Sequence, residues 1–311
     1  MTHFFNTKTH FWLIIVILVL ITSCGNQDNK EALSENLENK VIQNNATSHQ
    51  IPWQKFKEYW YSGKAEITSY KLEQARYGEI HQGQAVLIYV TEDFLPHKQV
   101  KADQKSNNTV SVLKLNATKK FNTGIYPYSV MQSTFFPVSN NQHAIKITSS
   151  IQEWCGQTFS QLNNKDQFEI KSYSYFETAG DTFFKREKSI LENELWVKLR
   201  INPKSLPTGD VKIIPALEYF QLNQKEQKAY QAKADLKSSS YTLKYPELNR
   251  TLTIEFNPVF PHQILGWKET VKHKSDKTTI TKAVKLASIK SAYWKKNTIK
   301  DTVLRTVLKL H

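Results

Sequence analysis

The spacing of apolar positions changes several times along the chain, and each change predicts an element. Phe11 to Ile21 (FWLIIVILVLI) is an unbroken apolar run of 11 residues. That is shorter than the ~20 needed to cross a bilayer and matches the core of a signal peptide. From Gly25 to Ile51 large apolar residues are scarce and Asn, Gln, Glu and Ser abound. Such a stretch buries too little surface to offset its ordering entropy, so it reads as a flexible tether. Pro52, Trp53, Phe56 and Trp60 then recur at helical spacing, with Gly63 just beyond, which predicts a short amphipathic helix over about 53–62.

Beyond Lys64 the texture is that of strands rich in Val, Ile, Thr, Tyr and Phe, separated by Gly, Asn, Asp and Pro clusters. Strands are predicted at 64–74, 84–93, 110–115, 128–138, 143–151, 154–162 and 167–176, with hairpin turns at Asn140-Asn141 and Asn163-Asn164. In 168–176 the apolar set changes faces partway, which suggests a bulge or a strand with two half-buried sides. Ile190, Leu191, Leu195 and Leu199 return to helical spacing, so 189–200 is a predicted helix stopped by Asn202-Pro203 and Leu206-Pro207. Strands are predicted again at 210–215, 217–222 and 228–236. A hairpin follows at 241–245 with 251–256, and a pair at 264–274 with 278–289. Finally Ile299, Val303, Leu304, Val307 and Leu308 share a helical face, so a closing helix is expected over 298–310. The fold class is therefore α+β, mainly antiparallel β, with a large curved sheet or half-barrel-like body and a few short helices. Carrier-type export lipoproteins share that outline.

The first run acquires a meaning from what borders it. Lys8 precedes it, no acid occurs before Cys24, and Ile21-Thr22-Ser23-Cys24 resembles a lipobox, in which small residues precede a cysteine that is acylated. The expected organisation is a lipoprotein signal peptide over 1–23 and the tether over 24–51. A β-rich domain follows over 52–311, either single or in two packed halves divided near 189–207. Lipidation of Cys24 would tether the protein to the cell envelope, at the outer membrane, on its periplasmic or its surface face. Cys155 would then be the one remaining thiol; its setting in Ile151 to Phe159 reads as a strand, which predicts a buried, inert side chain.

Charge adds a partner class. The chain carries +14 overall, and residues 263–311 hold 11 Lys and one Arg against Glu269, Asp276 and Asp301, a net of +9. Such surface attracts anionic lipid, acidic polysaccharide or nucleic acid, and export disfavours the last. Aromatic residues are abundant enough to line an apolar groove as well as a core. The expected ligand is an acyl chain or other amphiphile, its anionic headgroup met by Lys268, Lys272, Lys282 and Lys285; a protein partner in the envelope is the alternative.

Catalytic chemistry is hard to place. The histidines show neither His-x-His nor His-Glu-x-x-His spacing, and no Gly-x-Ser-x-Gly elbow, phosphate loop or dinucleotide fingerprint occurs. No metal, cofactor or catalytic set is predicted; an exported hydrolase using Cys155 is the one enzymatic alternative. Tyr59-Trp60-Tyr61-Ser62-Gly63-Lys64-Ala65-Glu66-Ile67, Asn122-Thr123-Gly124-Ile125-Tyr126-Pro127-Tyr128-Ser129 and Ile151-Gln152-Glu153-Trp154-Cys155-Gly156 resemble a family of Bacteroidota envelope lipoproteins often labelled septum formation inhibitor Maf. The resemblance implies an exported lipoprotein. The label itself does not transfer. Maf-type nucleotide pyrophosphatases carry a Ser-x-Ser-Pro-Arg-Arg phosphate loop, and this chain has no Pro-Arg-Arg.

Overall fold

The computed structural model describes residues 53–139, 142–273 and 277–310. Cys24, the predicted signal peptide and tether, the Asn140-Asn141 turn and part of the 274–277 turn lie outside the described residues. One helix and nine strands come first: α1 (Trp53–Trp60), β1 (Ala65–Arg76), β2 (Glu79–Leu95), β3 (Val100–Lys101), β4 (Val110–Thr123), β5 (Tyr126–Pro137), β6 (Lys146–Glu153), β7 (Gly156–Asn164), β8 (Phe168–Ser174) and β9 (Thr182–Arg186). After them come β10 (Ile190–Leu191), α2 (Glu192–Ile201), β11 (Gly209–Ile214), α3 (Leu217–Asn223) and β12 (Tyr230–Leu236). The chain continues through β13 (Ser240–Tyr245), β14 (Arg250–Phe256), β15 (Ile264–Lys272), β16 (Thr278–Ser291) and α4 (Val303–Val307).

All the strands belong to one sheet, ordered β10-β11-β12-β13-β14-β15-β16-β1-β2-β4-β5-β6-β7-β8-β9, with β3 paired to β2. Every pairing is antiparallel except β10 with β11. The last described strand pairs with the first, β16 with β1 from Ala65↔Ser291 to Glu73↔Lys282, so these two strands meet in the middle of the sheet. Its two edges, β9 and β10, are separated by residues 187–189 alone. So short a link draws the edges together and curls the sheet into a half-barrel. Across the gap, Arg186 Nε donates to the Gln227 carbonyl at 2.9 Å.

Strict alternation sorts the side chains onto two faces. Tyr70, Leu72, Leu87, Tyr89, Leu113, Leu115, Tyr245, Leu252 and Trp267 point inward to the main core. Ala65, Ile67 and Val90 point outward, where Leu308 covers them. The concave side is filled by α2. Eight of its ten residues are buried, among them Glu192, Glu194, Lys198 and Arg200, because a helix wrapped by a curved sheet has no solvent side.

The described residues differ from the expected elements at several points. Leu217 to Leu222 is the helix α3, not a strand. Leu217 and Phe220 point to the core at one-turn spacing, and Gln224 ends the helix in a left-handed conformation. The Phe168–Ser174 strand pairs with β7 and β9 without a register shift. Phe168, Ile170 and Ser172 are its buried side and Tyr173 simply stands in solvent, so there is no bulge. Cys155 is not in a strand interior: it is exposed in the turn between β6 and β7. Gly156, at φ +158, continues the chain into β7. The strands β3 and β9 have no counterpart in the sequence pattern. The closing helix is present, but as a 3-10 turn Ile299–Thr302 leading into α4; of its apolar residues Leu308 is buried, while Ile299, Val303 and Val307 face outward.

Candidate functional site

A cavity of about 160 Å³ lies between the concave face of the sheet and the helices α2 and α3. It sits at the end of the half-barrel that carries the β1–β2 and β15–β16 turns, opposite α1. Its walls alternate in character because the strands do. Leu87, Leu115, Ala117, Leu252, Trp267 and Val271 come from inward positions of four strands, and Trp196 and Leu222 come from the two helices. Tyr77, Asn223 and His273 line it while remaining exposed, which marks the mouth.

Charged side chains form part of the wall, and most are committed to partners. Arg250 on β14 is gripped by the Glu192 carboxylate, with Nη2 donating to Oε1 at 2.8 Å, and by Glu269 Oε2 at 3.0 Å. Tyr245 donates to Glu192 Oε2 at 2.7 Å, and the Arg250 guanidinium stacks 4.4 Å from the Tyr219 ring. Burial favours the protonated form of Glu269, but the Arg250 guanidinium and Lys119 outweigh it and hold the carboxyl below its ordinary value. Burial pushes the Tyr219 phenol up to about 12. Beside this group, Lys119 pairs with Glu218 at 2.7 Å. Gln132 donates to Glu218 at 2.7 Å and accepts from Asn193 at 2.9 Å.

Arg76 behaves differently. Among the described residues it pairs with no carboxylate; Nη1 donates to the Leu222 carbonyl at 2.6 Å and Nη2 reaches the hydroxyls of Tyr77 and Tyr128 at 3.4 and 3.5 Å. Its guanidinium lies 4.4 Å from the Tyr77 ring. The cavity therefore has an apolar middle, a floor of closed ion pairs, and a cation with His273 near the mouth. His273 Nε2 is 2.9 Å from Thr279 Oγ1.

A second buried ion pair holds the other end of α2. Arg200 donates to both oxygens of Glu66 at 2.8 and 2.7 Å, accompanied by Tyr59 as a further donor. Arg200 Nε donates to the Pro261 carbonyl at 2.9 Å. Burial raises the Glu66 carboxyl, but Arg200 overcomes it and the net direction is down. Midway along, Glu194 accepts the Ala144 N–H at 2.7 Å and lies 3.0 Å from His143 Nδ1. The helix is thus bolted to three separate walls.

The residues singled out from the sequence fall elsewhere. Lys268 and Lys282 are direct neighbours across β15 and β16, exposed on the convex face; Lys272 stands on that same outer side, opposite Thr278. Lys285 hydrogen-bonds Gln263. None of the four lines the cavity, so an amphiphile inside it would not meet them. Cys155 lies beside Glu153, whose hydrogen bond and negative charge hold the thiol above its ordinary value, which opposes formation of a nucleophilic thiolate. The cavity residues were not legible: Arg76, Lys119, Glu192, Glu218 and Arg250 are spread over 175 positions of the chain (76 to 250). A usable signal was present nonetheless. Two glutamates, a lysine and an arginine inside a predicted apolar helix can be buried only if each finds a partner.

Among the described residues no helix is long and apolar enough to cross a membrane, and no group of His, Cys, Asp or Glu could hold a metal ion. No protein-family model matches the chain, and no curated protein matches it. Among solved structures it is similar to a β-barrel-like protein of domain of unknown function DUF1849 from Brucella abortus. That likeness has 7% identity and a TM-score of 0.38 and covers 73% of this chain and 98% of that one.

Proposed function

We propose that this protein is a lipid-anchored envelope protein that binds a compact amphiphile without transforming it. The observation that carries the binding role is the cavity itself, a chamber of mixed apolar and polar walls with paired charges at its floor and Arg76 and His273 at its mouth. Its size limits the guest. A cavity of about 150 Å³ accommodates a benzene-sized molecule, so the guest is a small ring or the terminus of a chain rather than a whole long acyl chain. Its polar or acidic group would stay at the mouth near Arg76. The anchor rests on Ile21-Thr22-Ser23-Cys24 following the apolar run.

Two measurements test the reading. Native mass spectrometry of protein purified gently from its own membrane should detect a small co-purifying guest, and Ala117→Phe, which projects a ring into the chamber, should abolish it while leaving the fold intact by circular dichroism. Guest retention by the Ala117→Phe protein, or its absence from both, would favour an envelope scaffold. Labelling with a palmitate analogue should disappear in Cys24→Ala; persistence of the label would remove the anchor.

A further inference from the structure

The net +9 of residues 263–311 is divided by the fold between two places. Single lysines are spread over the convex face of β15 and β16. The remainder sits in residues 292–310, where Lys295, Lys296, Lys300, Arg305 and Lys309 oppose Asp301 alone, a net of +4. This segment turns off the end of β16 and forms nine consecutive helical residues, the 3-10 turn Ile299–Thr302 and then α4. One side of it is fixed to the sheet. Leu308 is buried with Ala65, Ile67 and Val90, with Tyr293 and Leu310 beside it, and the Ser69 hydroxyl donates to the Leu308 carbonyl.

The opposite side carries Ile299, Val303 and Val307, spaced at i, i+4 and i+8, and they are 89%, 61% and 51% exposed. Asp301 is used within the segment: it accepts from the Thr298 N–H and hydroxyl at 3.1 and 2.8 Å and lies 3.6 Å from Lys296. What faces outward is an apolar stripe beside the exposed ammonium groups of Lys295, Lys300 and Lys309. Three side chains in a line fall far short of the ~800 Å² per partner of a stable protein interface. A bilayer surface has no such minimum area, and it offers an apolar layer just beneath anionic phosphates.

We propose that residues 292–310 dock on an anionic lipid bilayer, with Ile299, Val303 and Val307 sunk among the headgroups and Lys295, Lys300 and Lys309 against lipid phosphates. This goes beyond the proposed function and stands whether or not Cys24 is acylated. If both hold, the acyl chain and the basic stripe form the two-signal attachment that makes membrane residence stable. The body is then held by the outside of β1, β2 and β16, with the cavity mouth toward the other end of the same strands.

Residues 50–311 form one compact unit by themselves, so a chain starting at residue 24 with Cys24→Ala keeps the body whole and lacks the acyl chain. At low salt it should float with vesicles of mixed phosphatidylglycerol and phosphatidylcholine and not with phosphatidylcholine alone. Replacing Lys295, Lys300 and Lys309 with Glu should weaken that partition at least roughly 100-fold, and Val303→Ser with Val307→Ser should weaken it severalfold. Lys268→Glu with Lys282→Glu, two charge reversals on the nearby convex face against three in the segment, should change it by less than about twofold at about 0.1 M salt, since attraction then falls off within a Debye length of ~10 Å from the bilayer. The proposal is overturned if the parent does not float, if neither segment variant weakens binding, or if the Lys268/Lys282 variant loses as much as the segment variant. Palmitate labelling of Cys24 is read separately, so loss of the anchor and loss of this surface are distinct results.

Discussion

The helix α2 and the C-terminal helical segment are nearly the same length, ten residues against nine, and both show apolar residues at helical spacing. The structure uses them in opposite ways. In α2 the charged residues are inside: Glu192, Glu194, Lys198 and Arg200 are all buried, each bonded to the surrounding wall. In the C-terminal segment Leu308 is inside, but the stripe of Ile299, Val303 and Val307 is outside. The difference teaches that periodicity identifies a helix and its faces but not which face meets protein. That is decided by whether the sheet wraps the helix or merely passes under it.

The largest effects should come from unbolting α2. Arg200→Met leaves Glu66 charged and without its partner in the interior, a loss of about 3–5 kcal/mol. The double variant Arg200→Met with Glu66→Met removes both charges and should regain most of it, in chemical denaturation followed by circular dichroism. If single and double variants are equally unstable, the pair matters for packing rather than for charge, and the contrast with the C-terminal segment weakens.

The same bolts set the acid limit. Glu66 and Glu269 titrate below their ordinary value of 4.5 in the folded chain. The unfolded chain therefore binds more protons in that window, and stability rises with pH there. The contribution is fully present above about 4.5 and is lost as pH falls through the folded values. Denaturation midpoints should drop as pH falls below that point. The Arg200/Glu66 double variant should drop less steeply.

The smallest effects belong to the C-terminal segment, where two substitutions separate its sides. Leu308→Ala removes the buried contact with Ala65 and Ile67 and should destabilise by about 2 kcal/mol, at the lower end for a buried leucine. Val303→Ser, on the outward stripe, should stay within about 0.5 kcal/mol. Thermal melting distinguishes them, and a loss at Val303 comparable with that at Leu308 would mean that the stripe is covered by protein after all.

Local patterns announced much of the sheet. The β13–β14 hairpin is legible because Tyr241, Leu243 and Tyr245 alternate with polar residues and Pro246 to Asn249 supply the turn. The β15–β16 pair stands where the pattern placed it even though Ile280, Ala283 and Val284 also fit a helix. Leu217 to Leu222 was less legible: a seven-residue helix contributes two turns of pattern at most, and its Tyr and Phe favour strand by propensity until tertiary contacts override them. Cys155 was misplaced because the chain on both sides of it is strand, and a two-residue turn between two strands leaves little trace in composition.

The sequence by itself determined the β-rich class, the order of most strands and the breaks between them, because alternation, turn residues and helix stops are local properties of a few neighbouring side chains. It also determined that the last 49 residues are basic and that a lipobox-like cysteine follows an apolar run. Only the tertiary structure decided that β16 pairs with β1 and that the two edges meet at 187–189. The same holds for the six cavity charges drawn from six elements: these are contacts between positions far apart in the chain, and no local pattern encodes the distance between them.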